Sequence, residues 1–235
     1  MRITALLTGK KNSTLKNKNE IKLVGDYIFN YPAKQAKKVK DINFFYTSSD
    51  SKVILNQTKK IGYQTIYRPK KLATNKSKHL DVLKHAINIL KKKNEYPDIL
   101  VVLLANAPIV QSKWISDCIN ILKENKTITA VVPVQNINDH HPERSKKIEN
   151  DLLKNFSNKK SISSNRQDLD KCYFLCHNFW VIRTNEIYKN NGQFPWSFMG
   201  KKVRGYKIKH SIDIHSKLDI KIAEILLKNP NLFKF

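Results

Sequence analysis

Short apolar runs alternate with amphipathic segments along the 235 residues of the chain. This alternation is typical of α/β proteins, in which helices cover both faces of a mostly parallel sheet. The run Ile99 to Leu104 is apolar at every position, as expected of a central strand that is buried on both faces. We therefore predict a three-layer α/β/α fold, with strands at residues 2–8, 43–47, 64–67, 99–104, 128–133, 173–183 and 206–208.

The amphipathic segments predict five helices, at residues 25–36, 51–60, 78–92, 112–124 and from 217 to near the C-terminus. Asp50 follows two serines and is expected to cap the N-terminus of the helix at residues 51–60. Ser216 and Asp219 have the spacing of a capping box at the start of the last helix. That helix is predicted to face the core through an apolar stripe, formed by Leu218, Ile222, Ile225 and Leu226.

The regular pattern is interrupted at residues 134–170, which are polar and rich in Asn, Lys and Ser. We expect one domain spanning residues 1–235, with a polar insertion or dimerisation arm at about 134–180. A homodimer formed through this region is the expected assembly.

The chain carries a net charge of +25, but its lysines are spread along the whole sequence rather than gathered in one tract. Dispersed lysines are usually solvated, so a dedicated nucleic-acid surface is not expected, although the positive field attracts anionic substrates. No apolar stretch approaches the roughly 20 residues that cross a bilayer, and no signal-peptide pattern is present. A cytoplasmic protein with three reduced cysteines and no membrane contact is therefore expected.

The N-terminal segment has the features of a phosphate-binding loop. The strand that ends at Thr8 leads into Gly9 and then into a run rich in Lys, Asn and Ser that ends at Lys18-Asn19. A buried strand that delivers a glycine turn, backbone amides, hydroxyls and cations to a sheet edge suits a polyphosphate. The segment thus predicts chemistry on a nucleotide.

Four blocks, in order, are similar to those of the acylneuraminate cytidylyltransferases, the CMP-sugar synthetase family. Ala5 to Gly9 with Ser13 to Asn19 resembles the family's N-terminal loop, and Thr47 to Asp50 resembles its Ser-Thr-Asp-Asp segment. Arg68 to Asn75 resembles its Arg-Pro-x-x-Leu-Ala block, and Ser211 to Asp219 its closing Ile-Asp-Ile-Asp-Thr motif. The resemblance covers nearly the whole chain outside residues 134–170.

This resemblance implies a Rossmann-like fold of the nucleotide-diphospho-sugar transferase type. It also implies an enzyme in which the anomeric hydroxyl of a nonulosonic acid, or of a related 2-keto acid sugar, attacks the α-phosphate of CTP. The products are pyrophosphate and a CMP-sugar for cell-surface glycans, lipopolysaccharide among them. The expected partners are therefore CTP and an acidic sugar.

The resemblance also assigns roles to individual residues. Lys18 is the leading phosphate ligand, and Lys10 supplies a cation where the family usually has arginine. Contacts to the nucleotide are expected from Gly9, Ser13, Asn19, Arg68 and Ser77, and contacts to the sugar from Asn106 and Asn178. For Arg68, Asn106 and Asn178, a purely structural role remains an alternative.

Asp213 is the expected ligand of Mg²⁺, with Mn²⁺ as a possible substitute, because an acidic residue just after a strand can share the ion with phosphate oxygens. His215 stands where the family has a second aspartate. Imidazole is a softer ligand than carboxylate, so His215 is a doubtful metal ligand, and weak metal binding or lost activity are both open. Two alternatives remain: another substrate on the same fold, or a non-catalytic homologue that binds nucleotide or nucleic acid.

Overall fold

A computed structural model describes residues 1–11, 18–158 and 162–233 of the chain. Its strands are β1 (Ile3–Thr8), β2 (Lys22–Leu23), β3 (Asp26–Tyr27), β4 (Phe44–Ser49), β5 (Gln64–Tyr67), β6 (Ile99–Leu104), β7 (Ala130–Asn136), β8 (Lys146–Glu149), β9 (Leu152–Asn155), β10 (Tyr173–Leu175), β11 (Phe179–Arg183) and β12 (Val203–Lys207). Its α-helices are α1 (Asn30–Lys37), α2 (Lys52–Lys60), α3 (His79–Lys92), α4 (Ser112–Glu124), α5 (Thr184–Lys189) and α6 (Lys217–Lys228).

Eight of these strands form one mixed, mostly parallel sheet. The strand order is β10-β7-β11-β6-β1-β4-β5, and β12 also pairs with β7. Strands β1, β4, β5 and β6 run parallel to one another, whereas β11 is antiparallel to both β6 and β7. The predicted fold class is therefore confirmed.

The core lies on both faces of this sheet. Alternate residues of β6 point to opposite sides, with Val101 in one apolar cluster and Val102 in the other. Helices α1, α2, α4 and α6 contribute to the first cluster, whereas α3 and α5 contribute to the second. This two-sided burial explains why β6 reads as an uninterrupted apolar run.

Some predicted elements differ from those observed, as follows. The helix expected from Gly25 begins at Asn30, because Val24 and Gly25, with φ of 46° and 85°, form the turn of the β2–β3 hairpin. The strand expected over residues 173–183 is divided into β10 and β11. The strand expected at 206–208 is β12, which begins at Val203.

The cap of α2 also differs from the prediction. The side chain of Ser51, not that of Asp50, accepts the hydrogen bond from the backbone N–H of Ile54. Asp50 instead accepts a hydrogen bond from the backbone N–H of Lys11 at 2.8 Å. Asp50 therefore holds the start of the N-terminal loop rather than the helix.

The capping box of α6 is present as predicted, but of the predicted apolar stripe only Leu226 is buried. Ser216 accepts from the backbone N–H of Asp219, whose carboxylate accepts from that of Ser216. Leu218, Ile222 and Ile225 are 68%, 38% and 55% exposed, because α6 packs on the core through Ala223 and Leu226.

Residues 134–170 contain more regular structure than expected at their start. Strand β7 continues to Asn136, and β8 and β9 then form a separate antiparallel hairpin. In the described part of the chain, no helix is both long and apolar enough to cross a bilayer.

Candidate active site

A cleft of about 470 Å³ opens at the carboxyl ends of β1, β5 and β6. Ligands of open α/β sheets bind at this edge, because the loops that follow parallel strands gather there. The cleft is lined by Gly9, Lys10, Lys18, Asn19, Arg68, Ser77, Asn106 and His215 among the predicted residues, together with Thr8, Leu72, Thr74, Asn75, His79, Val82 and Leu104.

Gly9 lies where the N-terminal loop passes closest to the sheet. A Cβ atom at this position would lie 2.7 Å from the Cβ of Ala105 and 3.1 Å from Cδ1 of Ile54. The backbone of Gly9 donates to the carbonyl of Ser48 at 3.3 Å. Any side chain here would push the loop into the cleft. Ser13, the other predicted nucleotide contact in this loop, lies outside the described residues.

Lys18 is a buried cation of the cleft, with 7% of its surface exposed. Burial lowers the pKa of Lys18, and the charge of Lys10 lowers it further, while Asp213 and Asp219 oppose the shift. The Nζ atom of Lys18 lies 3.4 Å from Nδ1 of His215. A buried ammonium group with so few partners is well suited to an anionic ligand.

Asn19 keeps one polar atom without a protein partner. Its Nδ2 donates to the carbonyl of Lys10 at 2.8 Å. Its Oδ1 is buried, and no hydrogen-bond donor among the described residues reaches it. An acceptor atom of this kind calls for a ligand that donates a hydrogen bond, such as a ribose hydroxyl or an exocyclic amine.

Lys10 and Arg68 bring further positive charge to the cleft. The Nζ of Lys10 donates to Oδ1 of Asn75 at 2.7 Å, so it ties the N-terminal loop to the segment after β5. Arg68 is buried and donates through a terminal guanidinium nitrogen to the carbonyl of Ser48 at 2.7 Å. Burial lowers the pKa of Arg68 to about 10, and nearby Asp50 opposes the shift. Arg68 therefore remains a cation at neutral pH.

Asp213 and His215 form a connected pair beside these cations. Nε2 of His215 lies 2.9 Å from Oδ2 of Asp213, and Nδ2 of Asn106 donates to Oδ1 of the same carboxylate. Asn106 is thus partnered by Asp213 in this structure. The backbone N–H of His215 donates to Asp219 at 2.8 Å, so the capping box of α6 also fixes the position of the pair.

The donor set suits a divalent ion that is shared with a ligand better than one enclosed by protein. No group of three or more His, Cys, Asp or Glu side chains able to hold a metal occurs in the described ranges. Mg²⁺ is commonly held by one or two carboxylates plus phosphate oxygens and water. Asp213 supplies the one carboxylate that such a site requires, and His215 contacts one of its oxygens.

Asn178 does not line the cleft. Its side chain is fully buried, donates to the carbonyl of Ile109 at 2.6 Å and accepts from the hydroxyl of Ser211 at 2.7 Å. These contacts correct the expectation that Asn178 touches the sugar and favour its structural alternative. Ser77 does line the cleft, with its hydroxyl donating to the carbonyl of Lys71.

Two histidines at the site were not predicted. His79 lines the cleft, with Nε2 3.1 Å from the hydroxyl of Thr8. Burial and the charges of Arg68 and His177 lower the pKa of His79 to about 3, so it stays neutral. The sequence position of His79, two residues after Ser77 and at the start of α3, could have indicated that it lies at the cleft. His177 lies in an adjoining cavity and gave no comparable pattern.

A cationic cleft that faces a carboxylate at the carboxyl edge of a parallel sheet defines a nucleotide-binding α/β protein. A family model described as cytidylyltransferase matches residues 11–203. The chain belongs to the cytidylyltransferase family and is a nucleotidyltransferase. Asp213 and His215 lie beyond the matched residues.

Individual relatives agree with this assignment. The chain is 24% identical to the post-translational flagellin modification protein B of Campylobacter coli over 231 residues, which cover 95% of this chain and 92% of the relative. The structure is similar to CMP:2-keto-3-deoxy-manno-octonic acid synthetase complexed with CTP, with a TM-score of 0.71 and 10% identity, over 98% of this chain and all of that one. It also resembles 4-diphosphocytidyl-2C-methyl-D-erythritol synthase from Anaerococcus prevotii, with a TM-score of 0.65 and 16% identity, over 97% and 96% of the two chains.

Proposed function

We propose that the protein transfers CMP from CTP to a nonulosonic acid or a related 2-keto acid sugar. The observation that carries this proposal is the convergence of Lys10, Lys18 and Arg68 on one cleft, with the carboxylate of Asp213 beside it. The cations suit the reaction because they offset the charge of a triphosphate, and the Asp213 carboxylate suits it because a metal ion bound to the phosphates needs a protein ligand. The name of the structurally similar octonic acid synthetase supports the choice of acceptor class.

In the proposed reaction, the anomeric oxygen of the sugar forms a bond to the α-phosphorus of CTP. The bond from that phosphorus to the bridging oxygen breaks, and pyrophosphate leaves with its electron pair. The hydroxyl proton passes to solvent. Lys18 and Lys10 offset the negative charge on the phosphates, which is the main contribution that protein groups make to this class of transfer.

Asn19 is the proposed contact to the nucleoside. Its Oδ1, which no donor among the described residues reaches, needs a hydrogen-bond donor; the ribose hydroxyls and the cytosine amine are donors, whereas a phosphate is not. Arg68 and Ser77 line the same cleft, and we assign them to the side of the base, as the family resemblance implies.

Mg²⁺ is the proposed cofactor, with Asp213 as its protein ligand and His215 beside it. The ion would supply charge neutralisation at the phosphates and orient them. The role of the chain is to hold the Asp213 carboxylate in place, through Asn106 on one oxygen and His215 on the other.

We also propose a homodimer formed through the β8–β9 hairpin. Four large apolar side chains are exposed on this segment by 66% to 72%: Ile148, Leu152, Leu153 and Phe156. A lone two-stranded hairpin is marginally stable in water, and an apolar surface of this kind is typical of an interface. Because the reaction consumes CTP to activate a sugar for surface glycans, we place it in the cytoplasm.

The proposal is tested by measuring pyrophosphate release with each of the four ribonucleoside triphosphates, Mg²⁺ and a panel of 2-keto acid sugars. We expect release with CTP that depends on the sugar. Equal release with every nucleotide, or release without any sugar, would contradict the assignment.

A further inference from the structure

Helix α6 exposes a surface of restricted composition, and this surface plays no part in the contacts described above. All twelve residues of α6 are described, and the six exposed ones are three lysines and three large aliphatic residues: Lys217, Leu218, Lys221, Ile222, Ile225 and Lys228. We call these six residues the α6 face. Surface helices usually carry polar residues on the solvent side, so a row of aliphatic side chains there indicates a surface that meets a partner.

The aliphatic residues and the lysines of the α6 face form two neighbouring rows. Leu218, Ile222 and Ile225 are spaced by four and three residues, which places them in one row along the helix. Lys221 follows Leu218 by three residues, and Lys228 follows Ile225 by three. Residues at this spacing are neighbours on a helix surface, so the lysines border the aliphatic row along its length.

The remaining side chains of α6 are engaged within the protein. Ala223 and Leu226 are buried against the core. The carboxylate of Asp219 belongs to the capping box, and that of the partly buried Glu224 pairs with Lys221 at 3.1 Å. Since no acidic residue among the described twelve is exposed, the α6 face is a convex surface that is apolar along one row and basic along the other.

The β2–β3 hairpin, which packs beside α6, has a similar surface. Lys22 is exposed, and Val24 in the turn is 47% exposed. Asp26 of the same hairpin is paired with Lys34 at 2.6 Å. The combination of exposed lysine and exposed aliphatic side chain is therefore not confined to the helix.

The charge of the whole molecule favours an extended anionic partner for the α6 face. The net charge is +25, with lysines spread along the chain, so the positive field acts on a large negative surface. A second copy of this face would bring like charges together, and a nucleic acid would leave the aliphatic row without a contact. A bilayer with anionic lipids offers phosphates to the lysines and an apolar boundary to the aliphatic side chains.

We propose that the α6 face docks the protein on the surface of a membrane that contains anionic lipids. Leu218, Ile222 and Ile225 enter the boundary between headgroups and acyl chains, while Lys217 and Lys228 contact lipid phosphates. The contact is peripheral and involves no helix that crosses the bilayer. It departs from the expectation of no membrane contact, which followed from the absence of a spanning segment in the sequence.

The test measures co-sedimentation of the full chain with vesicles of phosphatidylcholine alone and with vesicles that also contain phosphatidylglycerol. We expect binding to the anionic vesicles to be about tenfold tighter or more, because each lysine near such a surface contributes about fivefold. High salt should weaken this binding by screening the lysines. Equal binding to the two kinds of vesicle, or no binding to the anionic ones at low salt, would overturn the proposal.

Paired substitutions of lysine locate the charged contact. Lys217→Gln combined with Lys228→Gln is expected to weaken binding to the anionic vesicles by about tenfold or more. Lys91→Gln combined with Lys92→Gln is the control, because it removes the same charge from exposed residues at the end of α3. Equal weakening by the two pairs would show attraction by general charge and would reject the α6 face.

A second pair of variants tests the aliphatic row. Leu218→Ser combined with Ile225→Ser should lose most of the vesicle binding, whereas Phe194→Ser should keep it, although Phe194 is 92% exposed. Thermal melting followed by circular dichroism, without vesicles, verifies that each variant is folded. Full binding by Leu218→Ser with Ile225→Ser would mean that the aliphatic row does not enter the membrane.

Other occupants of the α6 face give different results. Binding of polyglutamate through the same lysines, without binding to vesicles, would assign the face to an acidic protein. A lower mass of Leu218→Ser with Ile225→Ser in light scattering, without lipid, would assign it to a second copy of the chain. Either result would overturn the proposal. Because vesicle binding needs neither CTP nor a sugar, its outcome is independent of the proposed reaction.

Discussion

At the scale of single residues, Lys18 has the clearest environment for binding phosphate. It is buried beside Lys10 and has no carboxylate in direct contact among the described residues. Its charge is therefore desolvated without compensation, which lowers the stability of the fold. Such a residue adds little to the stability of the fold but strengthens the binding of an anionic ligand.

We expect Lys18→Met to weaken CTP binding by about 1.5–3 kcal/mol, roughly 10- to 100-fold, because a charge-assisted hydrogen bond is lost while the side-chain stem is kept. Lys11→Met is the matched control, since Lys11 is exposed and its backbone, not its side chain, donates to Asp50. Calorimetry with CTP measures both variants. Similar affinities for the two would show that general charge, not Lys18, holds the triphosphate.

His215 is one of the residues, with Lys10, at which the chain departs from the pattern of the family that it resembles. It contacts both Asp213 and Lys18, so it lies in the position where a second carboxylate would face the phosphates. Restoring the family residue by His215→Asp is expected to lower the Mg²⁺ concentration that gives half-maximal activity, because carboxylate is the harder ligand.

The control for that substitution is His140→Asp, at an exposed residue outside the cleft. Activity is titrated with Mg²⁺ and with Mn²⁺ for each variant. An unchanged Mg²⁺ requirement in His215→Asp would mean that residue 215 takes no part in metal binding.

At the scale of elements, the capping box of α6 links stability to the site. Burial opposes ionisation of Asp219, but the hydrogen bonds from the His215 backbone and from Ser216 outweigh it and lower the pKa of Asp219. One carboxylate thus satisfies the helix N-terminus and also fixes the backbone of His215.

We expect Ser216→Ala to lower the free energy of unfolding by about 1 kcal/mol, which is the usual value of an N-cap. Asp219→Ala removes the same box and the His215 contact, so it should also reduce activity. Urea denaturation of both single variants and of the double variant measures the coupling free energy between the side chains of Ser216 and Asp219. If the effects on stability add fully, the two side chains do not act as one cap.

How well the elements were predicted depends on what determines each one. Strand β6 and helices α3 and α4 follow from local apolar patterns, and their predicted bounds agree within one residue. The start of α1 was missed because the Val24-Gly25 turn competes with the helix start. The stripe on α6 was misjudged because its packing is set by neighbouring elements, which a helical period alone does not reveal.

At the site, too, some residues could be predicted from the sequence, and others are brought together only by the folded chain. Lys10, Lys18, Asn19 and Arg68 were predicted because their blocks resemble a family, and all four line the cleft. His79 and His177 were missed because only the folded chain brings them together with Asp213. Asn178 was misplaced because its sequence position does not reveal that its amide is used by Ile109 and Ser211.

At the scale of the whole molecule, the exposed apolar side chains of the β8–β9 hairpin predict self-association. Ile148 and Leu153 pair across the two strands and are both 72% exposed. Replacing both by Asp should convert a dimer into a monomer, as measured by light scattering coupled to size exclusion, while the monomer keeps its fold.

Leu218→Asp serves as the control for that experiment, because Leu218 is also exposed, by 68%, but lies on α6. A wild-type protein that is already monomeric, or a dimer that survives both substitutions in the hairpin, would contradict the proposed interface.

The most direct test of the central claim is phosphorus NMR of the protein with CTP, Mg²⁺ and a nonulosonic acid. The account predicts that the CTP signals are replaced by equal amounts of a CMP-sugar phosphodiester and pyrophosphate. Conversion of CTP to nucleoside diphosphate and inorganic phosphate, or unchanged CTP with every acceptor, would contradict it.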